Sequence, residues 1–298
     1  MSLDLNGILP PAATPFTDAD EVDREALKHN VRRWMQTGLR GLVMLGSNGE
    51  APFISDAEAV EIIATVREHV PRDRVLIAGA GAQSTRATIA RSRDAARAGA
   101  DAVLVLTPSV FRAQMTPDAL VAHYRAVADA SPVPVLLYNF PATTGVTLTL
   151  PVVQQLAEHP NIAGIKESSG DLGVVGELTA RTPDGFRVVV GAAPTLYASL
   201  LVGADGGVVA IANVVPELCV RLHALVRDGR LEEALALQRA LTPLAAAVTS
   251  GFGVPGLKAA MTLAGYRAGR PRPPLTPAGS DVHAKIRALY EGLMAHAA

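Results

Sequence analysis

Eight short apolar runs punctuate the first two thirds of the chain, at residues 7–13, 41–46, 75–81, 102–107, 134–140, 162–166, 186–191 and 206–213. Most are continuous Val, Ile, Leu and Ala without strict polar alternation, the pattern of parallel strands covered on both faces. Between them lie segments with apolar residues at helical spacing. Ser55, with Glu58 three residues on, forms a capping-box pattern ahead of a periodic run to Val70. Ser84, Thr116 and Asp171 are the N-caps expected of three further helices, and Gly38 closes the helix that starts after Asp23. Eight strand–helix units in succession predict an α/β fold of the (β/α)8 TIM-barrel type rather than an open sheet. No Gly-rich fingerprint follows the first strand, which argues against a dinucleotide-binding fold.

Beyond about Pro216 the strand pattern stops. Residues 217–227, 231–250, 254–264 and 280–296 read as helices, with a Pro-rich loop over 270–277. The expected organisation is a barrel catalytic domain over 1–228 and a C-terminal helical extension over 229–298.

Composition narrows the function. With 49% hydrophobic and 18% charged residues the chain can bury a large core. A net charge of −1 gives no electrostatic reason to bind nucleic acid or an anionic membrane. No apolar run approaches the roughly 18 residues of a membrane span, and the first ten residues lack a signal-like core. The lone Cys219 has no partner for an internal disulfide and suits a reducing compartment. A cytoplasmic protein is expected. The seven histidines are scattered without metal-ligand spacing, so no metal is expected.

Of the 27 Lys and Arg residues only four are lysine: Lys28, Lys166, Lys258 and Lys285. Lys166 ends the sixth apolar run. Period-two alternation puts Gly164, Lys166 and Ser168 on one face, leaving space around a lysine in the barrel mouth, where barrels of this type keep their active sites. Burial disfavours the ammonium, and a neutral amine is the nucleophile that carbonyl chemistry needs. Position alone also allows an exposed lysine reaching to solvent. Tyr138 stands near the end of the neighbouring fifth run. It reads either as a proton-transfer group facing the same cavity or as a core tyrosine with a locally satisfied hydroxyl. Gly46-Ser47-Asn48-Gly49-Glu50 follows the second run. Its glycines permit a tight turn that aims donors at an anion of carboxylate size, and it also reads as an ordinary connection.

Several segments together resemble the dihydrodipicolinate synthase / N-acetylneuraminate lyase family: Pro15-Phe16, Gly46-Ser47-Asn48-Gly49-Glu50, Thr107-Pro108, Tyr138-Asn139-Phe140-Pro141 with Thr144-Gly145, and Gly164-Ile165-Lys166-Glu167-Ser168-Ser169-Gly170-Asp171. They fall in the family's order over roughly residues 5 to 275. The resemblance implies an enzyme, a class I aldolase or lyase acting on pyruvate or a related 2-oxo acid. It implies that Lys166 forms a Schiff base and Tyr138 shuttles protons. Ser47, Asn48 and Gly49 would hold the substrate carboxylate, with Thr143 and Val208 as further substrate contacts. A homodimer or homotetramer is implied, with small 2-oxo acids and aldehydes as the other partners and no cofactor. Two departures from the synthase pattern stand out. Ser109-Val110-Phe111 replaces a tyrosine pair, and Thr143 stands where those synthases carry an arginine for the co-substrate's carboxylate. The segments from Gly46, Pro141 and Ala247 are most similar to 4-hydroxy-2-oxoglutarate aldolases. Dihydrodipicolinate synthase, a sugar-acid dehydratase or aldolase, and a 2-oxo-acid-binding regulatory protein are the alternatives.

Overall fold

The computed structural model describes residues 3–297. Its eight strands are β1 (Ile8–Leu9), β2 (Gly41–Met44), β3 (Val75–Gly79), β4 (Ala102–Leu106), β5 (Val135–Asn139), β6 (Ile162–Glu167), β7 (Arg187–Val190) and β8 (Gly206–Val208). All pairs are parallel, in the order β1-β8-β7-β6-β5-β4-β3-β2. A bridge between Pro11 and Val43 joins the two ends, so the sheet curls round into a (β/α)8 barrel.

The continuous apolar runs now have a physical account. Alternate residues of each strand serve two separate cores. Leu9, Val43, Ile77, Leu104, Leu136, Val189 and Val208 fill the barrel interior. Ile8, Met44, Ala78, Val105, Leu137, Ile165 and Val190 face the surrounding helices. Neither face meets water, so no polar alternation is needed.

Two of the eight runs end differently from the sequence expectation. The first is a strand for only two residues, because Pro10 and Pro11 have no N–H to give the ladder. The last leaves the sheet after Val208, and Ala210–Asn213 winds into a 3-10 turn. The buried Asn213 side chain holds that turn: its Nδ2 donates to the carbonyls of Pro11 and Ala210, and its Oδ1 accepts from the N–H of Ala13.

Helices α1 (Arg24–Met35), α2 (Asp56–Arg67), α3 (Thr85–Arg97), α4 (Pro117–Ala130), the single turn α5 (Pro141–Thr144), α6 (Leu150–Ala157), α7 (Leu172–Arg181), α8 (Leu196–Leu201) and α9 (Pro216–Arg227) surround the barrel. Asp23, Ser55, Ser84, Thr116 and Asp171 cap five of them through their side chains, and Ser55 with Glu58 completes the reciprocal capping box. The extension consists of α10 (Leu231–Ala246), α11 (Gly253–Leu263) and α12 (Ser280–Ala297). The single helix expected over 231–250 is interrupted. Pro243 inside α10 lacks a backbone donor, and residues Ala247–Gly251 widen into a π turn. Cys219 is buried in α9, where burial pushes its thiol up to about 12, in keeping with a core residue.

Candidate active site

In a parallel barrel every strand delivers its C-terminal end to the same rim. Tyr138 and Lys166 stand there as register partners on β5 and β6, and Lys166 also pairs with Val189 on β7. Lys166 is 4% exposed, and its Nζ lies 4.2 Å from the centroid of the Tyr138 ring. The tyrosine in turn stacks on Phe140 at 5.8 Å. The aromatic face favours a cation over it, and it also walls one side of the amine.

Room for the Lys166 side chain comes from absence of bulk on β7. A Cβ on Gly191 would lie 3.1 Å from Lys166 Cε and would overlap Ser168 Oγ. Lys166 and Ser168 therefore share the space that Gly191 leaves open. Two hydroxyls at this rim, Ser168 Oγ and Thr107 Oγ1, are buried without a hydrogen-bond partner. Such orphans are costly, and a substrate oxygen beside Lys166 would satisfy Ser168 Oγ.

Just outside the mouth, β5 and β6 are locked together. Asn139 Nδ2 donates to Glu167 Oε2 at 2.6 Å, Glu167 Oε1 accepts from the N–H of Ser169 at 2.6 Å, and Asn139 Oδ1 accepts from the N–H of Leu148 at 2.9 Å. This outward-facing pair fixes the strand ends whose inward neighbours are Tyr138 and Lys166. Ser168, Thr107, Gly191, Asn139 and Glu167 were not among the site residues expected from sequence. Alternation along β6 already places Ser168 on the Lys166 face, but Gly191 is legible only once β6 and β7 are in register. The Asn139–Glu167 pair needs the same alignment.

The other expected residues are spread over the rim. Ser47–Gly49 forms a 3-10 turn beyond β2, with Ser47 and Asn48 half-buried. Val208 lies in the same interior cluster as Tyr138. Thr143 is exposed in α5. A guanidinium does stand near that turn: Arg112 Nη1 would be 2.9 Å from a Cβ on Gly145. Val110 and Phe111, in place of the synthases' tyrosines, are 66% and 70% exposed.

A cavity of about 510 Å³ lies elsewhere, behind the β1 loop and α11, lined among others by Phe16, Lys258, Arg270 and His283. Its lysine is already held by Glu50 at 2.6 Å, so it offers no free amine. Among the described residues no three His, Cys, Asp or Glu side chains come together to hold a metal ion, and no helix is long and apolar enough to cross a membrane.

A barrel with a buried lysine and tyrosine at the carboxyl ends of adjacent strands defines an enzyme of the lyase and aldolase class. Residues 4–292 match the "Dihydrodipicolinate synthetase family", and the chain belongs to that family. A 4-hydroxy-tetrahydrodipicolinate synthase of Exiguobacterium sp. is 34% identical over 285 residues, covering 96% of this chain and 97% of that one. A probable mitochondrial 4-hydroxy-2-oxoglutarate aldolase of Emericella nidulans is 34% identical over 293 residues, covering 96% and 94%. Among solved structures, a prophage protein of the dihydrodipicolinic acid synthase family from E. coli K12, in complex with pyruvate, superposes with a TM-score of 0.91. It is 30% identical, over 97% of this chain and 99% of that one.

Proposed function

We propose that the protein cleaves a 4-hydroxy-2-oxo acid to pyruvate and an aldehyde through a Schiff base on Lys166. The observation that carries this is the buried Lys166 amine, set between the Tyr138 ring and the gap over Gly191. The amine attacks C2 of the substrate, and the carbinolamine loses water to give an iminium. The C3–C4 bond then breaks, its electron pair moving to C3 as the enamine forms. The C4 hydroxyl gives up its proton as the aldehyde leaves. Protonation at C3 and hydrolysis release pyruvate and the free amine. Tyr138 relays protons in these steps, and Ser47, Asn48 and Gly49 receive the C1 carboxylate. Val208 packs beside the reacting carbons, and Thr143 borders the aldehyde end. Residues 1–228 constitute the catalytic barrel, and 229–298 the extension. The enzyme acts as a homodimer or homotetramer in the cytoplasm, a reading supported by exposed Val110 and Phe111 and by the free, buried Cys219.

Borohydride added with pyruvate should leave a stable adduct on Lys166, and Lys166→Arg should abolish it, because a guanidinium stays protonated. An adduct on Lys28, Lys258 or Lys285 instead would overturn the assignment.

A second reading, condensation of pyruvate with aspartate semialdehyde, has its own support. One relative named above is a synthase of that kind, and Arg112 beside Gly145 could meet the semialdehyde's carboxylate. Neutral, exposed Thr143 weighs against it, since a desolvated carboxylate without its bidentate arginine forfeits about 2–5 kcal/mol. The expected result is a higher kcat/KM for cleavage of 4-hydroxy-2-oxoglutarate than for the condensation. A condensation faster by roughly tenfold, about 1.4 kcal/mol, would reverse the choice.

A further inference from the structure

Glu50 closes the Ser47–Gly49 turn, and three features set it apart. Its backbone is left-handed, at φ 59°, although it is not glycine. Its carboxylate is fully buried. Its partner comes from the far end of the chain: Lys258 Nζ, on α11, sits 2.6 Å from Glu50 Oε1 as an ion pair outside linear hydrogen-bond geometry. The other carboxylate oxygen accepts the N–H of Arg272 at 2.8 Å.

Lys258 does more than neutralise Glu50. Its ammonium donates to the carbonyl of Thr14 at 2.8 Å and of Arg270 at 2.7 Å. Thr14 Oγ1 donates in turn to the carbonyl of Gly49 at 2.8 Å. The Phe16 ring lies 4.7 Å from the ammonium and 4.2 Å from the Arg272 guanidinium. One amine thus ties together the loop after β1, the turn after β2 and the strap after α11. Burial pulls the Lys258 amine down from its ordinary range, and Glu50 opposes that pull.

Stability is a weak account of such a pair. A buried ion pair loses hydration on both partners, and apolar replacement of both is often neutral or stabilising. A left-handed non-glycine residue likewise persists only where its surroundings over-determine it. What the network holds is the Gly49 carbonyl and the Glu50 carboxylate, the end of the turn that carries Ser47 and Asn48. We propose that Lys258 and Glu50 are positioning residues for the substrate carboxylate, so that the C-terminal extension sets the geometry of a turn on the barrel rim. This rests on the reading that the Ser47–Gly49 turn receives the C1 carboxylate.

The test uses borohydride trapping on Lys166 in the full-length protein, with pyruvate and with methyl pyruvate, whose ester lacks the charge. The variants are Glu50→Gln and the double variant Glu50→Gln/Lys258→Met, which removes both buried charges together. The expected result is a half-saturating pyruvate concentration raised by roughly tenfold or more, as for loss of an oriented charge-assisted contact. The trapping rate at saturation, and the half-saturation for methyl pyruvate, should stay near wild type. Equal shifts for both ketones, or no shift for either, would overturn the proposal. Failure of both variants to fold would assign the pair to stability and overturn it too. Wild-type protein that traps neither ketone would instead remove the Schiff-base reading, and this inference with it.

Discussion

Gly191 shows how much of the site depends on a missing atom. A methyl group there meets two movable partners, Ser168 Oγ and Lys166 Cε, rather than backbone. Gly191→Ala should therefore fold, with Ser168 turned aside and the lysine amine displaced. Small misplacements of a reacting group cost on the order of 100-fold, so kcat/KM for retro-aldol cleavage should fall by roughly that factor. Adding Ser168→Ala removes the worst overlap and should restore part of the adduct yield in borohydride trapping. Unchanged kinetics in Gly191→Ala would mean that Lys166 does not use this space. Both residues are plain in the sequence as letters. Their meaning is not, because β6 and β7 must be in register, Lys166 beside Val189, before Ser168 comes over Gly191. Lys166 and Tyr138 could be singled out earlier, since each stands at or near the C-terminal end of its own apolar run.

Elements announced themselves where their signals are local. Ser55 with Glu58, and the caps at Ser84, Thr116 and Asp171, lie within three residues of the N–H groups they serve. Long-range partners left no such trace. Glu58, whose carboxylate accepts the Ser55 N–H in the capping box, also accepts from the Arg272 guanidinium at 2.6 Å, from 214 residues away. The 3-10 turn after β8 was likewise hidden, because Asn213 acts on Pro11 and Ala13 across the chain. The Glu58 pairing has a pH consequence. Arg272 first, and then the Ser55 N–H, hold Glu58 down from 4.5 to about 2. A carboxylate with a depressed folded value contributes stability above its unfolded value. That contribution is lost as pH falls from about 4.5 through about 2. Glu58 is partly exposed, so screening reduces the contribution to about 1 kcal/mol or less. Urea unfolding across pH 2 to 7 should show that increment in the wild type and not in Glu58→Gln. Parallel pH curves for the two proteins would show that the pair contributes nothing.

At the scale of the molecule, the eight-strand count and the helical tail were both legible, because strands covered on both faces read as short, nearly continuous apolar runs, and those runs give way to longer segments at helical spacing after Pro216. What another copy of the chain would cover was less so, and two residues address it. Val110 and Phe111 are adjacent on the rim, 66% and 70% exposed. Gln83 Oε1 accepts the N–H groups of Ser109 and Val110 at 2.8 and 2.9 Å, so the apolar pair is presented in a fixed shape. Burying one phenylalanine is worth roughly 1.5–3 kcal/mol. In a two-fold dimer each contact occurs twice, so Phe111→Asp removes roughly 3–6 kcal/mol before charge desolvation adds to the loss. That weakens association by at least about 100-fold. Sedimentation velocity from nanomolar to micromolar protein should then show wild-type dimer or tetramer, and dissociation of Phe111→Asp at concentrations where the wild type stays associated. A monomeric wild type at micromolar concentration would contradict the assembly, and an unchanged dissociation constant in the variant would move the interface away from this loop.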